Sequence, residues 1–250
     1  MTADLATHCD WMDWSAPLWL CPAVLPVPSS NRHHTGGPPY RRLTRLCGIL
    51  ADMNDSPHMP RSPELMSTAD TALLVVDVQE KLIRLIPEHR RIIWNIGRLI
   101  DGAKILGVPV VATEQYPKGL GPTTAELAER LGDIPAKLTF SCGGCPEVFE
   151  NLQQQGIYKI LIVGIEAHVC IQQTVFDLML AGFGIYLAVD AIGARFGIDY
   201  RTALGRMDSA GATLSTTEAA LFEWCQVAGT SQFKQISALV RQTPPAQSEP

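Results

Sequence analysis

The stretch Ile160-Leu161-Ile162-Val163-Gly164-Ile165-Glu166-Ala167-His168-Val169-Cys170 decides how this chain folds. Ile160 to Val163 form an unbroken apolar run, the signature of a buried strand. Gly164 opens a turn, and from His168 to Ala181 the pattern is that of an apolar helix. A strand that turns directly into a helix is the building unit of an α/β fold, and this one delivers Cys170 at the start of the helix. Unpaired backbone N–H groups and the positive end of the helix dipole lower a thiol's pKa there and can hold a developing oxyanion. A cysteine beside buried strands is otherwise an inert small hydrophobe, so the other chemistry-bearing residues must decide between the two.

A second buried strand, Ala72-Leu73-Leu74-Val75-Val76, ends in Asp77-Val78-Gln79. In open α/β sheets the carboxyl ends of the strands border the ligand crevice, which places the Asp77 carboxylate where a base can act, or where a turn aspartate would cap the chain. Between the two strands, Lys137-Leu138-Thr139-Phe140-Ser141 offers a cation in a short, partly apolar segment.

Helical periods alternate with these strands. Over Arg90 to Leu106, Ile92, Ile93, Ile96, Leu99, Ile100 and Ala103 share one face, and Gly107 ends the helix before a strand at Val108 to Ala112. A helix at Pro146 to Gln155 leads to a strand at Lys159 to Val163. The helix from His168 to Ala181 leads to a strand at Ile185 to Val189, and a helix at Tyr200 to Ser209 to a short strand near Thr213 to Ser215. This alternation predicts a doubly wound, Rossmann-like α/β sandwich of three layers around a mainly parallel, six-stranded sheet. With strand order 3-2-1-4-5-6, the first and fourth strands are neighbours at the switch point, and Asp77 meets Cys170 there.

Asp77, Lys137 and Cys170, in that order, resemble the Asp-Lys-Cys triad of the isochorismatase-like cysteine hydrolases. The resemblance runs from about Leu73 to about Glu218. It is carried by Asp77 to Lys81, Thr113 to Pro122, Lys137 with Phe140-Ser141, Gly164 to Cys170, and Val189-Asp190-Ala191. The Glu-Gln-Tyr-Pro segment and the Gly-Ile-Glu-Ala turn are most similar to the subgroup called isochorismatase domain-containing proteins. The resemblance implies nucleophilic acyl transfer on a small-molecule C–N bond through a covalent thioester. In it Cys170 is the nucleophile, Asp77 the base, and Lys137 the cation that holds Asp77 charged. It further implies an oxyanion hole from the backbone N–H groups of Glu166 and Cys170, and a cis peptide between Ile165 and Glu166. Around the mouth it places Gln79, Leu82, Glu114, Tyr116, Leu120 and Phe140 as substrate-binding residues. His168 beside the nucleophile and Arg195 after the strand ending near Asp190 join them, unless His168 only caps its helix and Arg195 only forms a structural salt bridge. Two other readings stand beside this one: an isochorismatase-type vinyl-ether hydrolase, and a non-catalytic binding or scaffold protein. Homo-oligomers are common in the family and are expected here.

The resemblance also bears on metal. Metal-dependent relatives carry an aspartate and histidines after the second strand, whereas here that loop reads Glu114-Gln115-Tyr116-Pro117-Lys118-Gly119, so no metal and no cofactor are expected. Cys142-Gly143-Gly144-Cys145 has the spacing of half a zinc or redox motif but lacks a second pair, and reads as a helix entry before Pro146.

Composition sets the outer bounds. With 250 residues, 46% hydrophobic and 18% charged, the chain can build one sizeable core plus extensions. A formal charge of -5 and no basic run longer than two residues oppose an extended phosphate-binding surface, so the expected partner is a small molecule, not nucleic acid. Seven cysteines at irregular spacings, without a secretory signal, fit a reducing cytoplasm. Residues 1–66 contain Trp11, Trp14 and Trp19, many prolines and no apolar period; they read as a disordered or non-core extension. The apolar run from Trp11 to Pro28 is too short and proline-broken to span a membrane. Residues 67–241 make the catalytic domain, and residues 242–250 a flexible tail.

Overall fold

The computed structural model describes residues 59–246. The tryptophans of the extension and His33, His34 and His58 lie outside the described residues. Six parallel strands form one sheet: β1 (Thr71–Val76), β2 (Val110–Gln115), β3 (Ala136–Lys137), β4 (Lys159–Ile165), β5 (Gly184–Gly193) and β6 (Thr213–Ser215). Their order is β3-β2-β1-β4-β5-β6, the doubly wound arrangement expected from the alternation of periods.

The helices are α1 (Glu80–Ile83), α2 (His89–Leu106), α3 (Pro117–Leu120), α4 (Ala125–Ala128), α5 (Pro146–Gln154), α6 (Gln172–Leu180), α7 (Gly197–Ser209), α8 (Thr217–Cys225) and α9 (Ser231–Val240). Side chains along a strand alternate between faces, and β1 shows how this divides the core. Leu73 and Val75 join α2, α8 and α9 through Leu99, Ile100, Leu221, Trp224 and Ile236. Ala72, Leu74 and Val76 face the other layer, with Phe149, Leu152, Val175, Leu178 and Met207 of α5, α6 and α7. β1 is buried along its whole length, which is why its sequence is continuously apolar instead of alternating.

Several elements differ from the pattern read in the sequence. Val108 lies just beyond α2, where its N–H caps the Ala103 carbonyl, so β2 starts later and runs on to Gln115. The helix expected from His168 is a π-helical turn, Ala167–Ile171, followed by α6. Helices α8 and α9 cover the sheet after β6, where no period had been assigned. Among the described residues no helix is long and apolar enough to cross a membrane.

The packed body takes in residues on the N-terminal side of position 67. Met66 is fully buried in the α2 layer, and its N–H bonds the Glu223 carboxylate at 2.8 Å. Arg61 donates to the carbonyls of Met66 and Glu223, and Lys159 Nζ to those of Pro63 and Leu65. The short polar Arg61–Leu65 segment carries no periodic signal, so its anchoring depends on partners distant in sequence. Met66→Ala removes a buried side chain at a cost of about 2–5 kcal/mol and should lower the melting temperature by on the order of 10 °C. Calorimetric melting of the full chain checks this; an unchanged midpoint would show that Met66 contributes nothing to the core.

Candidate active site

Asp77 follows directly on β1, and the π-helical turn bearing Cys170 follows β4 after one residue, so the adjacency of these strands brings the two residues together. How closely their tips approach depends on Gly164. It pairs with Val76 and has φ 119°, and a Cβ there would stand 2.1 Å from the Val76 carbonyl oxygen. Only glycine allows both that backbone conformation and that contact. Asp77 itself takes the left-handed region at φ 52°, which an aspartate tolerates better than most residues, and its N–H bonds the Thr113 carbonyl on β2.

The Asp77 carboxylate is fully buried, and so is Lys137, whose Nζ reaches Asp77 Oδ2 at 2.7 Å. Two charges withdrawn from water need their remaining hydrogen-bonding capacity met by the protein. Lys137 Nζ also donates to Gln115 Oε1 at 2.9 Å and to the carbonyls of Phe140 (2.9 Å) and Thr139 (3.3 Å). Asp77 Oδ1 accepts from the Thr113 hydroxyl at 2.9 Å. Burial nonetheless outweighs the attraction of Lys137, and the Asp77 pKa lies above the ordinary carboxylate value. The expectation that Lys137 would hold it low is corrected by the completeness of the desolvation.

Cys170, 5% exposed, has its thiol near enough to the Asp77 carboxylate for the two to act on each other. Burial raises the thiol pKa, and the neighbouring carboxylate adds to the rise. The lowering expected from a helix start therefore does not prevail, because desolvation and a like charge exceed what a helix terminus supplies. The resting pair is a thiol beside a basic carboxylate. The π register has a further effect: the Glu166 carbonyl accepts from Val169 and Ile171 and passes over Cys170, while the Glu166 N–H has no acceptor among the described residues. The Ile165–Glu166 peptide is cis.

The residues expected around the mouth divide into two groups. Tyr116 and Phe140 are half-exposed beside the triad: the Tyr116 N–H bonds the Lys137 carbonyl and the Phe140 carbonyl accepts from Lys137 Nζ. Leu120 in α3 and Leu82 in α1 are partly buried. The others are engaged within the protein. Gln79 is fully buried, donating to the carbonyls of Gln115 and Gly121 and accepting from the Gln115 N–H. Glu114 accepts from the backbone and hydroxyl of Thr123 at 2.6 and 2.8 Å. Arg195 Nε pairs with Glu166 at 3.0 Å, and His168 Nε2 lies 3.8 Å from Asp199.

Four residues of this cluster are not among the site residues read from the sequence: Thr113, Gln115, Cys142 and Thr174. The period of two along β2 was the available signal, since it sets Thr113 and Gln115 on the face opposite Glu114. Cys142 is fully buried, with Sγ 3.3 Å from the Thr113 hydroxyl and a pKa pushed up to about 11 by burial. Its N–H bonds the Thr174 hydroxyl, which in turn donates to the Cys170 carbonyl. The Cys142-to-Cys145 segment is a helix entry, as its proline suggests: a 3-10 turn, Cys142–Gly144, runs into α5. Among the described residues no cluster of three or more His, Cys, Asp or Glu could hold a metal ion. With its thiol held protonated, Cys170 should be alkylated by iodoacetamide at a rate still climbing beyond about pH 9, the upper side of an ordinary thiol. Peptide mapping after short pulses measures it, and a plateau near neutrality would contradict the assigned electrostatics.

Comparison with known proteins gives the family. The isochorismatase domain model matches residues 71–219. Isochorismatase domain-containing protein 2 of Danio rerio is 35% identical over 181 residues, covering 72% of this chain and 91% of that protein. The Homo sapiens protein of the same name is 36% identical over 176 residues, covering 70% and 85%. A solved structure described as the MAR1 ribonuclease of Caenorhabditis elegans superposes with a TM-score of 0.68 at 36% identity, over 73% of this chain and 95% of that one. In fold, and in sequence over most of its folded body, this chain belongs to the isochorismatase family.

Proposed function

We propose that the protein is a cysteine hydrolase that cleaves a small-molecule amide-type C–N bond through a covalent thioester. The observation that carries this reading is the Asp77 carboxylate, buried between Lys137 Nζ and the Cys170 thiol. A carboxylate with a raised pKa is a stronger base than usual, which suits it to a thiol that ionises late. Asp77 takes the thiol proton as the Cys170 sulfur attacks the carbonyl carbon. The N–H groups of Glu166 and Cys170 receive the oxyanion. Collapse of the tetrahedral adduct breaks the C–N bond, and the leaving amine takes the proton from Asp77. Asp77 then deprotonates a water that attacks the thioester, and the proton returns to the departing Cys170 sulfur. Lys137 keeps Asp77 oriented throughout. These steps draw on no metal and no cofactor.

Substrate contacts fall to the half-exposed rings of Tyr116 and Phe140, with Leu82 and Leu120, a set suited to a small, partly apolar molecule. Gln79, Glu114 and Arg195 act on this reading by shaping the mouth. A second reading, RNA cleavage, rests on the ribonuclease name of the C. elegans relative, and the chain's net charge of -5 weighs against it.

A panel of small amides, N-carbamoyl compounds, isochorismate and RNA separates the readings. An amide should be turned over, with Cys170→Ala reducing kcat/KM by about 10³-fold or more and a thioester adduct seen by mass spectrometry. Turnover of isochorismate or RNA that survives Cys170→Ala would overturn the proposal. Protonated Asp77 cannot accept the thiol proton, so kcat/KM should fall as pH drops through its raised pKa. That acid limb should lie above about pH 4, the ordinary carboxylate value. The protein is also taken to work as a homo-oligomer, because Leu138, Phe196 and Ile198, each more than half exposed, leave apolar surface after the carboxyl ends of β3 and β5. Light scattering coupled to size exclusion should give at least a dimer mass; a monomer at micromolar concentration would refute this.

A further inference from the structure

A cavity of about 740 Å³ lies against α1, α2 and α4, and none of Asp77, Lys137 or Cys170 lines it. Arg98 does. It is 7% exposed, and of the five N–H donors of a guanidinium only one, on Nη1, has an acceptor among the described residues: Asn95 Oδ1 at 3.2 Å. Its Nε is buried without a partner, and no described carboxylate forms an ion pair with it. Asp190, one of two acids near enough to act on Arg98, is already occupied by Thr217 and Asn95; the other is Glu218. The Thr124 hydroxyl, in the same lining, is also buried and unpartnered. A nearly buried cation with most of its donors unmet beside an open cavity marks a place for an anion.

The lining narrows the chemical class. Arg84, Arg90, Arg98 and Arg130 contribute four positive charges, and Glu80, Asp101 and Glu126 three negative ones, with Arg130 bonded to Asp101. The surplus within the lining is a single charge, and Asp190 and Glu218 behind Arg98 offset it further, so the site suits a monoanion better than a phosphate ester. The rest is apolar and aromatic: the Trp94 ring, over which the Arg98 guanidinium lies at 4.3 Å, with Ile93 and Leu127. We propose that this cavity binds a small aromatic carboxylate, its carboxylate on Arg98 and its ring against Trp94.

Gly97 supplies a test that leaves the charges in place. A Cβ at Gly97 would meet only Arg130, at 3.8 Å, so a long side chain there can enter the cavity, and replacing a mid-helix glycine favours the helix. Titration of the full chain with benzoate by calorimetry should give a Kd of about 1 mM or tighter. Gly97→Met should weaken it by tenfold or more without lowering the melting temperature, Arg98→Met should abolish it, and Cys170→Ala should leave it unchanged. Absence of benzoate binding, binding undiminished in Gly97→Met, loss in Cys170→Ala, or inorganic phosphate binding as tightly would each overturn the assignment.

Discussion

The buried ion pair between Asp77 and Lys137 is the constraint around which the rest of the site is organised. Taking both charges out of water costs several kcal/mol per ion unless the protein replaces the lost hydration. Here the replacement comes from two segments: the Thr113 hydroxyl and Gln115 amide of β2, and the carbonyls of Thr139 and Phe140 just beyond β3. Gln115 is in turn held by Gln79, which also closes on the Gly121 carbonyl. The loops flanking the pair are thus fixed by the need to satisfy it, and the rings of Tyr116 and Phe140 are carried on those loops.

The pair also explains why the thiol stays protonated. A carboxylate that must remain in a dry place raises the cost of a second negative charge beside it, and Cys170 has no cation of its own. The stabilisation of a thiolate is deferred to the moment when the proton has somewhere to go. On the proposed mechanism such a thiol is quiet at rest, and its reactivity depends on a bound electrophile.

Much of this architecture was legible in the residues. Continuous apolar runs at Ala72 to Val76 and Ile160 to Val163 announce strands buried on both faces, and their alternation with helical periods yields the sheet order and the meeting of Asp77 with Cys170. The hidden parts share a physical cause: they depend on contacts that local pattern does not carry. Helix α8 is apolar with only a weak period, and Arg61–Leu65 is held through backbone carbonyls. Gln79 and Glu114 have the residue types of substrate contacts, and only the fold reveals that Gly121, Gln115 and Thr123 use up their polar atoms. The thiol pKa was misjudged because a helix start is visible in sequence and the depth of burial is not.

The close approach of Gly164 to Val76 and the brevity of β3 give the site one stiff joint and one pliant one. At Gly164 every side chain collides with main chain, so the seat of Cys170 offers no room for gradual adjustment. β3 spans two residues, Ala136–Lys137, at the sheet edge and leads into the exposed Leu138 and Phe140. Insertions or exchanges there shift the shape of the mouth while the thiol stays where it is. A lineage built on this frame can therefore diversify what it accepts by rewriting a margin, with the buried thiol inherited unaltered.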